Sequence, residues 1–401
     1  MPGLSFVSLA AFAALCAGLR IPMADALVYR AEGAAVAAGT DLYGFTVTRW
    51  QLPATYPPFA AILFVPLSWL PVPGLKVAFL AGNAVLLAVL VRLSCRFAGI
   101  TVRTETVVAV TAAALWLEPV FQTLVFGQIN LVIACLVLWD LSRPKGVSGS
   151  GVALGIAAGI KLTPAVFIIF LFLTGRVRAA TTALAAFAAT ALLGALALPS
   201  ASVDFWTRRI FETGRVGKAW IVDNQSLQGL VARVLHDPQS GGVWAAVAVL
   251  TGGAGLWAAR KVPYRWGVLV TAVTALLVSP ISWSHHWVWC VPLIAVLVRE
   301  GRVRIAWAVA AVFAARTMWL VPHQGDLDLR LPWWQQVLAA PYAWLGLVLV
   351  GCAVAYAGRR RRLTPAPGLR PGPRSSISPK LSASLEQGGP PRRAINSPSG
   401  D

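Results

Sequence analysis

Residues 151–178 read GVALGIAAGIKLTPAVFIIFLFLTGRVR. From Gly151 to Thr174 the run is apolar apart from Lys161, and basic residues close it on both sides: Arg143 and Lys145 before it, Arg176 and Arg178 after it. A run of about 20 apolar residues can cross a bilayer as a helix. A single crossing, however, would leave one of the two basic loops outside, against the positive-inside rule. Pro164 interrupts the helix and pushes its predecessor out of the α region. Two half-helices that meet at Lys161, entering and leaving by one face, satisfy both constraints.

The rest of the chain is built of similar material. Of 401 residues, 57% are hydrophobic and 12% charged, against about 25% charged in an ordinary soluble domain. Apolar runs recur from end to end. Hydrocarbon offers the backbone no partners, so spanning segments are helices or a closed barrel, and the period-2 alternation of a barrel is absent. The net charge of +19 sits mostly in short loops between apolar runs, where it sets orientation. No aromatic-basic platform of the kind that binds single strands appears, so no nucleic acid partner is expected. Cys16, Cys95, Cys135, Cys290 and Cys352 have neither metal-type spacing nor a disulfide framework and read as small core hydrophobes.

Loop charge gives the topology. The block Arg359 to Arg362 places the C-terminus in the cytoplasm. Counting back gives ten spans, starting near residues 4, 75, 105, 128, 179, 243, 267, 286, 305 and 337, with both termini inside. The run Leu4 to Leu19 lacks a basic n-region, and Arg20 and Pro22 follow where a cleavage site would need small residues, so it is read as an uncleaved span. Ala24 to Tyr56 falls on the outer face. Pro57 to Pro71, interrupted by Pro66, is too short to span and reads as an interfacial helix. The expectation is an all-α integral membrane protein of about ten spans plus re-entrant and interfacial half-helices. Its membrane domain would cover residues 1–362, and residues 363–401, rich in Pro, Ser, Gly and Arg, would form a disordered tail.

Ionisable groups in or beside a membrane are expensive and point to function. The outer face collects Asp25, Glu32, Asp41, Glu118, Asp223, Asp326 and Asp328. Asp25 could act as a partly desolvated general base or, equally, cap a helix. Tyr56, in Thr55-Tyr56-Pro57-Pro58-Phe59, shapes either a substrate site or a re-entry turn. Gln128 and Asn130 open a span and can bond sugar hydroxyls or neighbouring helices, while Asp140 at its far end reads as structural. Lys161 needs an anionic partner, either a carboxylate or a substrate phosphate. Asn224 and Gln225 follow Asp223 in an outer loop, after the basic run Arg208, Arg209, Arg215 and Lys218, which points to an anionic ligand or lipid headgroup. His285 and His286 stand between Trp283 and Trp287. They could hold a metal only with further ligands, so hydrogen bonding to phosphate or sugar is preferred over it, with packing in an interfacial Trp belt as the plain alternative. A divalent metal requirement stays open, since Asp326 and Asp328 could bind one.

Taken in order, these motifs resemble a known family. They are Asp25, Val28 and Tyr29; Gly39, Asp41 and Tyr43; Tyr-Pro-Pro-Phe (56–59); Gly-Gln-Ile-Asn (127–130); Gly-Ile-Lys-Leu-Thr-Pro (159–164); Asn-Gln-Ser-Leu (224–227); and Ser-Pro-Ile-Ser-Trp-x-His-His (279–286). Their succession resembles the polyprenol-phosphate-mannose-dependent α-mannosyltransferases of actinobacteria, a glycosyltransferase family 87-like group with the GT-C fold. The resemblance implies inverting transfer of mannose from polyprenyl-phosphate-mannose to a lipid-linked mannoside. The acceptor would be of phosphatidylinositol mannoside or lipomannan type, and the bond α-1,2. Transfer would take place on the outer face of the plasma membrane, with Asp25 as general base. Charge and topology then assign Lys161, His285 and His286 to the donor phosphate. No Gly-rich nucleotide cradle is present, as suits a lipid donor. The alternative is a transporter or flippase of a lipid-linked or anionic solute, since broken helices around a buried lysine serve that purpose too. Against it, no repeated halves are visible and the polar groups favour one face.

Overall fold

The computed structural model describes residues 2–18 and 21–363. The tail from residue 364 onward and Arg20, both used in the sequence reading, lie outside the described residues. The chain begins with α1 (Pro2–Gly18) and α2 (Ala24–Ala38), followed by a small antiparallel hairpin, β1 (Thr46–Val47) with β2 (Leu52–Pro53). Short helices α3 (Pro58–Leu63) and α4 (Val65–Ser68) precede α5 (Val72–Ala98). The expected break at Pro66 falls instead at Phe64; Pro66 lies in the first turn of α4, where a missing N–H costs nothing.

Next come α6 (Thr104–Ala114) and α7 (Glu118–Phe126), bent by 80°, then α8 (Asn130–Leu141), α9 (Val152–Ile160), α10 (Val166–Leu173) and α11 (Val177–Ala197). A looped region holds α12 (Pro199–Thr207) and α13 (Leu227–Leu235). The chain closes with α14 (Gly241–Ala259), α15 (Tyr264–Val278), α16 (Cys290–Arg299), α17 (Val303–Ala315), α18 (Trp333–Ala339) and α19 (Pro341–Leu363). Helix α15 is buried all round from Gly267 to Leu277, as a helix with apolar residues on every side should be.

Among the described residues five helices are long and apolar enough to cross a membrane: α5, α11, α14, the stretch Val303–Leu320 and α19; the bent pair α6–α7 would make a sixth. They occupy the starts expected near residues 75, 179, 243, 305, 337 and 105. At residues 4, 128 and 267 stand shorter apolar helices, α1 of 17 residues, α8 of 12 and α15 of 15, the last two below the length a straight span needs. The start near 286 is a 3₁₀ turn, Ser284–Trp289, leading into the ten-residue α16. Length and hydropathy therefore do not reproduce ten full spans. Leu192, Leu193 and Leu196 on α11, Val249 and Leu250 on α14, and Val348 on α19 are exposed. Apolar surface on this scale marks contact with a membrane or a partner, and with these spans it makes the chain a membrane protein.

Residues 151–178 fold as a hairpin. Lys161 is extended (φ −146°, ψ 128°) between α9 and the 3₁₀ turn Thr163–Ala165 that starts α10. On α9, Gly151, Gly155 and Gly159 lie four residues apart. A Cβ added at Gly151 would strike Ala179 and Ala183, at Gly155 Ala183 and Phe187, and at Gly159 Thr190. The contacts advance along both helices together, so α9 runs parallel to α11. The short turn after α10 makes α10 antiparallel to α11, so the chain reverses at Lys161. Such small-residue stripes let membrane helices approach backbone to backbone.

The two feet of the hairpin share one basic end of the bundle. The Asp140 carboxylate accepts the N–H groups of Gly151 (2.8 and 2.9 Å) and Leu154 (2.9 Å), capping α9 from the end of α8, the structural role read for it. Arg176 donates to the Arg143 carbonyl (3.2 Å) and lies 4.0 Å from the Tyr264 ring centroid, and Tyr264 donates to the Leu141 carbonyl (3.1 Å). The nine residues of α9 then lift Lys161 about 14 Å from that end. Replacing Gly155 by Leu is expected to cost about 3 kcal/mol, read as a lower melting temperature in detergent. Gly253→Leu, where a Cβ meets nothing within 4 Å, is the control that should leave it unchanged.

Candidate active site

Helix α2 carries Asp25, Tyr29 and Glu32 at helical spacing on one face. Its N-cap position is Met23, in the left-handed region (φ 47°, ψ 47°), with its N–H on the Val125 carbonyl at 3.1 Å. Asp25 is thus inside the first turn and makes no cap, which corrects the capping alternative. Its half-buried carboxylate faces Gln128. Gly127 (φ +69°) ends α7 so closely against α2 that a Cβ there would meet the Ala26 Cβ at 2.7 Å, and this contact brings Gln128 up to Asp25.

The orientation of the Gln128 amide follows from its partners. Its Oε1 accepts the Tyr29 hydroxyl at 2.9 Å and the Tyr56 hydroxyl at 3.3 Å, and the two hydroxyls are 2.9 Å apart. The amide N–H groups are left for Asp25. Burial pushes the Asp25 carboxyl up to about 6; the Gln128 hydrogen bond and the Lys161 charge hold it down, and Asp223 pushes it up. Tyr56 is fixed through its backbone as well: its carbonyl accepts the Tyr43 hydroxyl at 2.9 Å, and the Thr55 N–H donates to Glu32 Oε1 at 3.3 Å. Glu32 is fully buried, and burial lifts its carboxyl to about 8 against the Thr55 and Tyr56 N–H groups. Tyr56 and Gln128, read from sequence as sugar or donor contacts, are placed where they hold the carboxylate.

Lys161 forms the second half. Its ammonium donates to Asn130 Oδ1 at 3.2 Å, meets His286 Nε2 at 3.0 Å and stands 5.6 Å from the Tyr56 ring centroid. It makes no ion pair among the described residues; Asp25 acts on it through space. Because Nε2 of His286 accepts from the ammonium, its proton is on Nδ1. The Asn130 amide nitrogen donates to the His285 carbonyl at 2.9 Å, and Thr123 donates to the same oxygen at 3.2 Å. His285 is buried, with both ring nitrogens unpartnered, against Phe126 and edge-on to His286. Of the two histidines, it is His286 that reaches the lysine. Asn130, Lys161, Ser282 and His286 line a cavity that is otherwise largely apolar, with Ile133, Val137, Phe167, Ala272 and Leu276 among its walls.

Asn224 and Gln225 are placed differently from the expectation. Both are fully buried. Asn224 donates to the carbonyls of Ala219 (2.7 Å) and Pro280 (3.0 Å) and accepts from the N–H groups of Ser226 and Ser282. Gln225 donates to the carbonyls of Val222 (2.6 Å) and Ala339 (2.8 Å) and accepts the Tyr342 N–H. These amides have no hydrogen left for a ligand, because a turn buried between two spans must pair its own backbone. Their neighbour Asp223 is the half-exposed member. Sequence reasoning did not single it out, since spacing within a tight turn does not tell which of adjacent polar side chains points inward. Asp326 pairs with Lys218 (2.6 Å) and Trp220 (3.0 Å), and buried Asp328 accepts the Val222 N–H (2.8 Å). Among the described residues no group of three metal-ligating side chains occurs.

Residues 54–280 match the model of Glycosyltransferase family 87. The chain is 35% identical, over 88% of its length and 90% of the relative's, to a polyprenol-phosphate-mannose-dependent alpha-(1-2)-phosphatidylinositol mannoside mannosyltransferase of Mycobacterium tuberculosis. It is 33% identical, over 81% of its length and 82% of the relative's, to a protein of the same description from Mycolicibacterium smegmatis. A polyprenol-phosphate-mannose-dependent alpha-(1-2)-phosphatidylinositol pentamannoside mannosyltransferase of M. tuberculosis is 32% identical, over 83% of this chain and 80% of the relative. No solved structure matches the chain.

Gln225→Leu would strand two buried carbonyls and one N–H, at a cost of about 3 kcal/mol. The expected outcome is a lower melting temperature in detergent, with ligand affinity of the protein that remains folded unchanged.

Proposed function

The chain belongs to glycosyltransferase family 87, and on that premise we propose that it is an inverting mannosyltransferase of the plasma membrane. The donor is polyprenyl-phosphate-mannose and the acceptor a lipid-linked mannoside of the phosphatidylinositol mannoside type, joined through an α-1,2 bond. The membrane domain, residues 1–362, carries the reaction, with the site at the outer face and both termini in the cytoplasm. The observation that carries this reading is the meeting of two held groups near Tyr56: a desolvated carboxylate, Asp25, and an ammonium without an ion-pair partner among the described residues, Lys161, which lines a largely apolar cavity. The apolar walls of the cavity are of the chemistry that a lipid donor's hydrocarbon meets, and the ammonium that lines it suits the phosphate. With the family placed, the transporter alternative has no observation of its own.

In this reading the acceptor hydroxyl oxygen attacks the anomeric carbon from the side opposite the phosphate. The new C–O bond forms as the bond from the anomeric carbon to the phosphate oxygen breaks, and that oxygen leaves with the electron pair. Lys161 and His286 stabilise the charge that develops on it, as fixed donors do in a site shielded from water. The phosphate is a competent leaving group and needs no acid. Asp25 takes the acceptor's proton, and Gln128, itself turned by Tyr29 and Tyr56, keeps the carboxylate aimed and ionised. His285 supports the turn that presents His286.

Two outcomes test the assignment. In nanodiscs supplied with polyprenyl-phosphate-mannose and a phosphatidylinositol mannoside, Asp25→Asn should lower kcat about 10²- to 10⁴-fold while donor binding survives; undiminished transfer would remove Asp25 as base. The second concerns pH. A base works deprotonated, so kcat should rise roughly tenfold per pH unit below the Asp25 pKa and level off above it, and burial sets that point near 6. Gln128→Leu removes a bond that favours the ionised form and should move this limb to higher pH.

A further inference from the structure

We propose that Asp223 is a sugar-binding residue of this site, accepting hydroxyl protons of a mannosyl ring; the inference rests on the mannosyl-transfer reading above. The carboxylate is mounted on an unusually fixed turn. Nη1 of the fully buried Arg233 donates to the carbonyls of Trp220 (3.2 Å), Ile221 (2.9 Å) and Asn224 (3.2 Å). Asp328 holds the Val222 N–H, and Asn224 bridges to Trp283. Within the turn Asn224, Gln225 and Ser226 have no exposed surface, whereas Asp223 is half-buried. Its Oδ1 accepts the N–H of Ser284 at 3.1 Å, one residue before His285 and two before His286.

Charge decides what Asp223 can meet. It forms no ion pair among the described residues, and its influence falls on two other carboxyls, Asp25 and Glu118. A carboxylate in that company repels an anion, so it is not a contact for the donor phosphate, for which Lys161 and His286 stand ready. It attracts neutral donors. An ionised carboxylate is acceptor-only, with two oxygens and about four lone-pair sites, and bonds it accepts are the stronger charge-assisted kind. Sugar hydroxyls are the neutral donors that such a reaction brings within reach of Asp25. They could belong to the mannose of the donor or to the terminal mannose of the acceptor.

The test is equilibrium binding to protein in nanodiscs with three probes: polyprenyl phosphate, polyprenyl-phosphate-mannose and phosphatidylinositol mannoside. Asp223→Ala should weaken one mannosylated probe roughly ten- to hundredfold and leave sugar-free polyprenyl phosphate unchanged. Asp223→Asn, which keeps an oxygen for the Ser284 N–H, should fold like wild type and bind between the two. Loss confined to the donor assigns its ring, and loss confined to the acceptor assigns the acceptor's. Unchanged affinity for both mannosylated probes overturns the proposal. So does an equal loss for polyprenyl phosphate and its mannosylated form, which would make Asp223 a support of the histidine turn. Wild type that binds neither mannosylated probe would fail at an earlier point, removing the mannosyl-transfer reading and this inference with it.

Discussion

An ammonium carried by a broken helix among apolar helices is costly unless its hydrogens find acceptors, and much of this protein is arranged around meeting that demand for Lys161. Asn130 and His286 accept from it. Each is in turn held by something else: Asn130 by the carbonyl of His285, and the histidine turn by Thr123, Asp223 and the bridge from Asn224. The glycine stripe of α9 fixes the height at which Lys161 emerges, because it seats the ascending half-helix on α11 at one depth. Loosening any of these would leave a buried charge with fewer partners.

The same demand explains why several helices are short. Helix α7 stops at Gly127, α8 starts at Asn130, α9 and α10 part at Lys161, and α15 gives way to the Ser279–Ser282 turn before the histidines. All of these interruptions bring polar groups to one region. Irregular backbone at membrane depth is tolerated where it is buried in protein or lines a cavity, and here it does both. The long helices α5, α11, α14 and α19 lack such breaks and present apolar faces outward.

This contrast also separates what the sequence disclosed from what it withheld. The reversal at Lys161 was legible because two independent signals, loop charge and Pro164, conflicted with a single crossing. The role of Asp25 was half legible: its position beside a helix start was clear, but whether it capped that start depended on the backbone of Met23, which no pattern encodes. Asn224 and Gln225 were misjudged because an amide that bonds a sugar and an amide that bonds a buried turn are the same residue. The spacing of Gly151, Gly155 and Gly159 was there to be read and explains the packing of α9 on α11. Counting spans by hydropathy gives ten, where helix length and hydropathy together give five or six among the described residues, because several apolar runs are divided between short helices.

Carboxylate and cation are mounted on different parts of the chain, and something must set the distance between them. Asp25 belongs to α2, which is locked to the Tyr56 segment through Tyr29, Glu32 and the close approach of Gly33 to Phe64. Lys161 belongs to the hairpin on α11. The two meet through Gln128 and Asn130, one oriented toward Asp25 and the other bonded to Lys161. Residues two apart cannot separate by more than about 7 Å along the chain. A single turn, entered through Gly127, therefore spaces the Asp25 carboxylate from the Lys161 ammonium, and it does so with backbone geometry, which varies less than any pair of long side chains could.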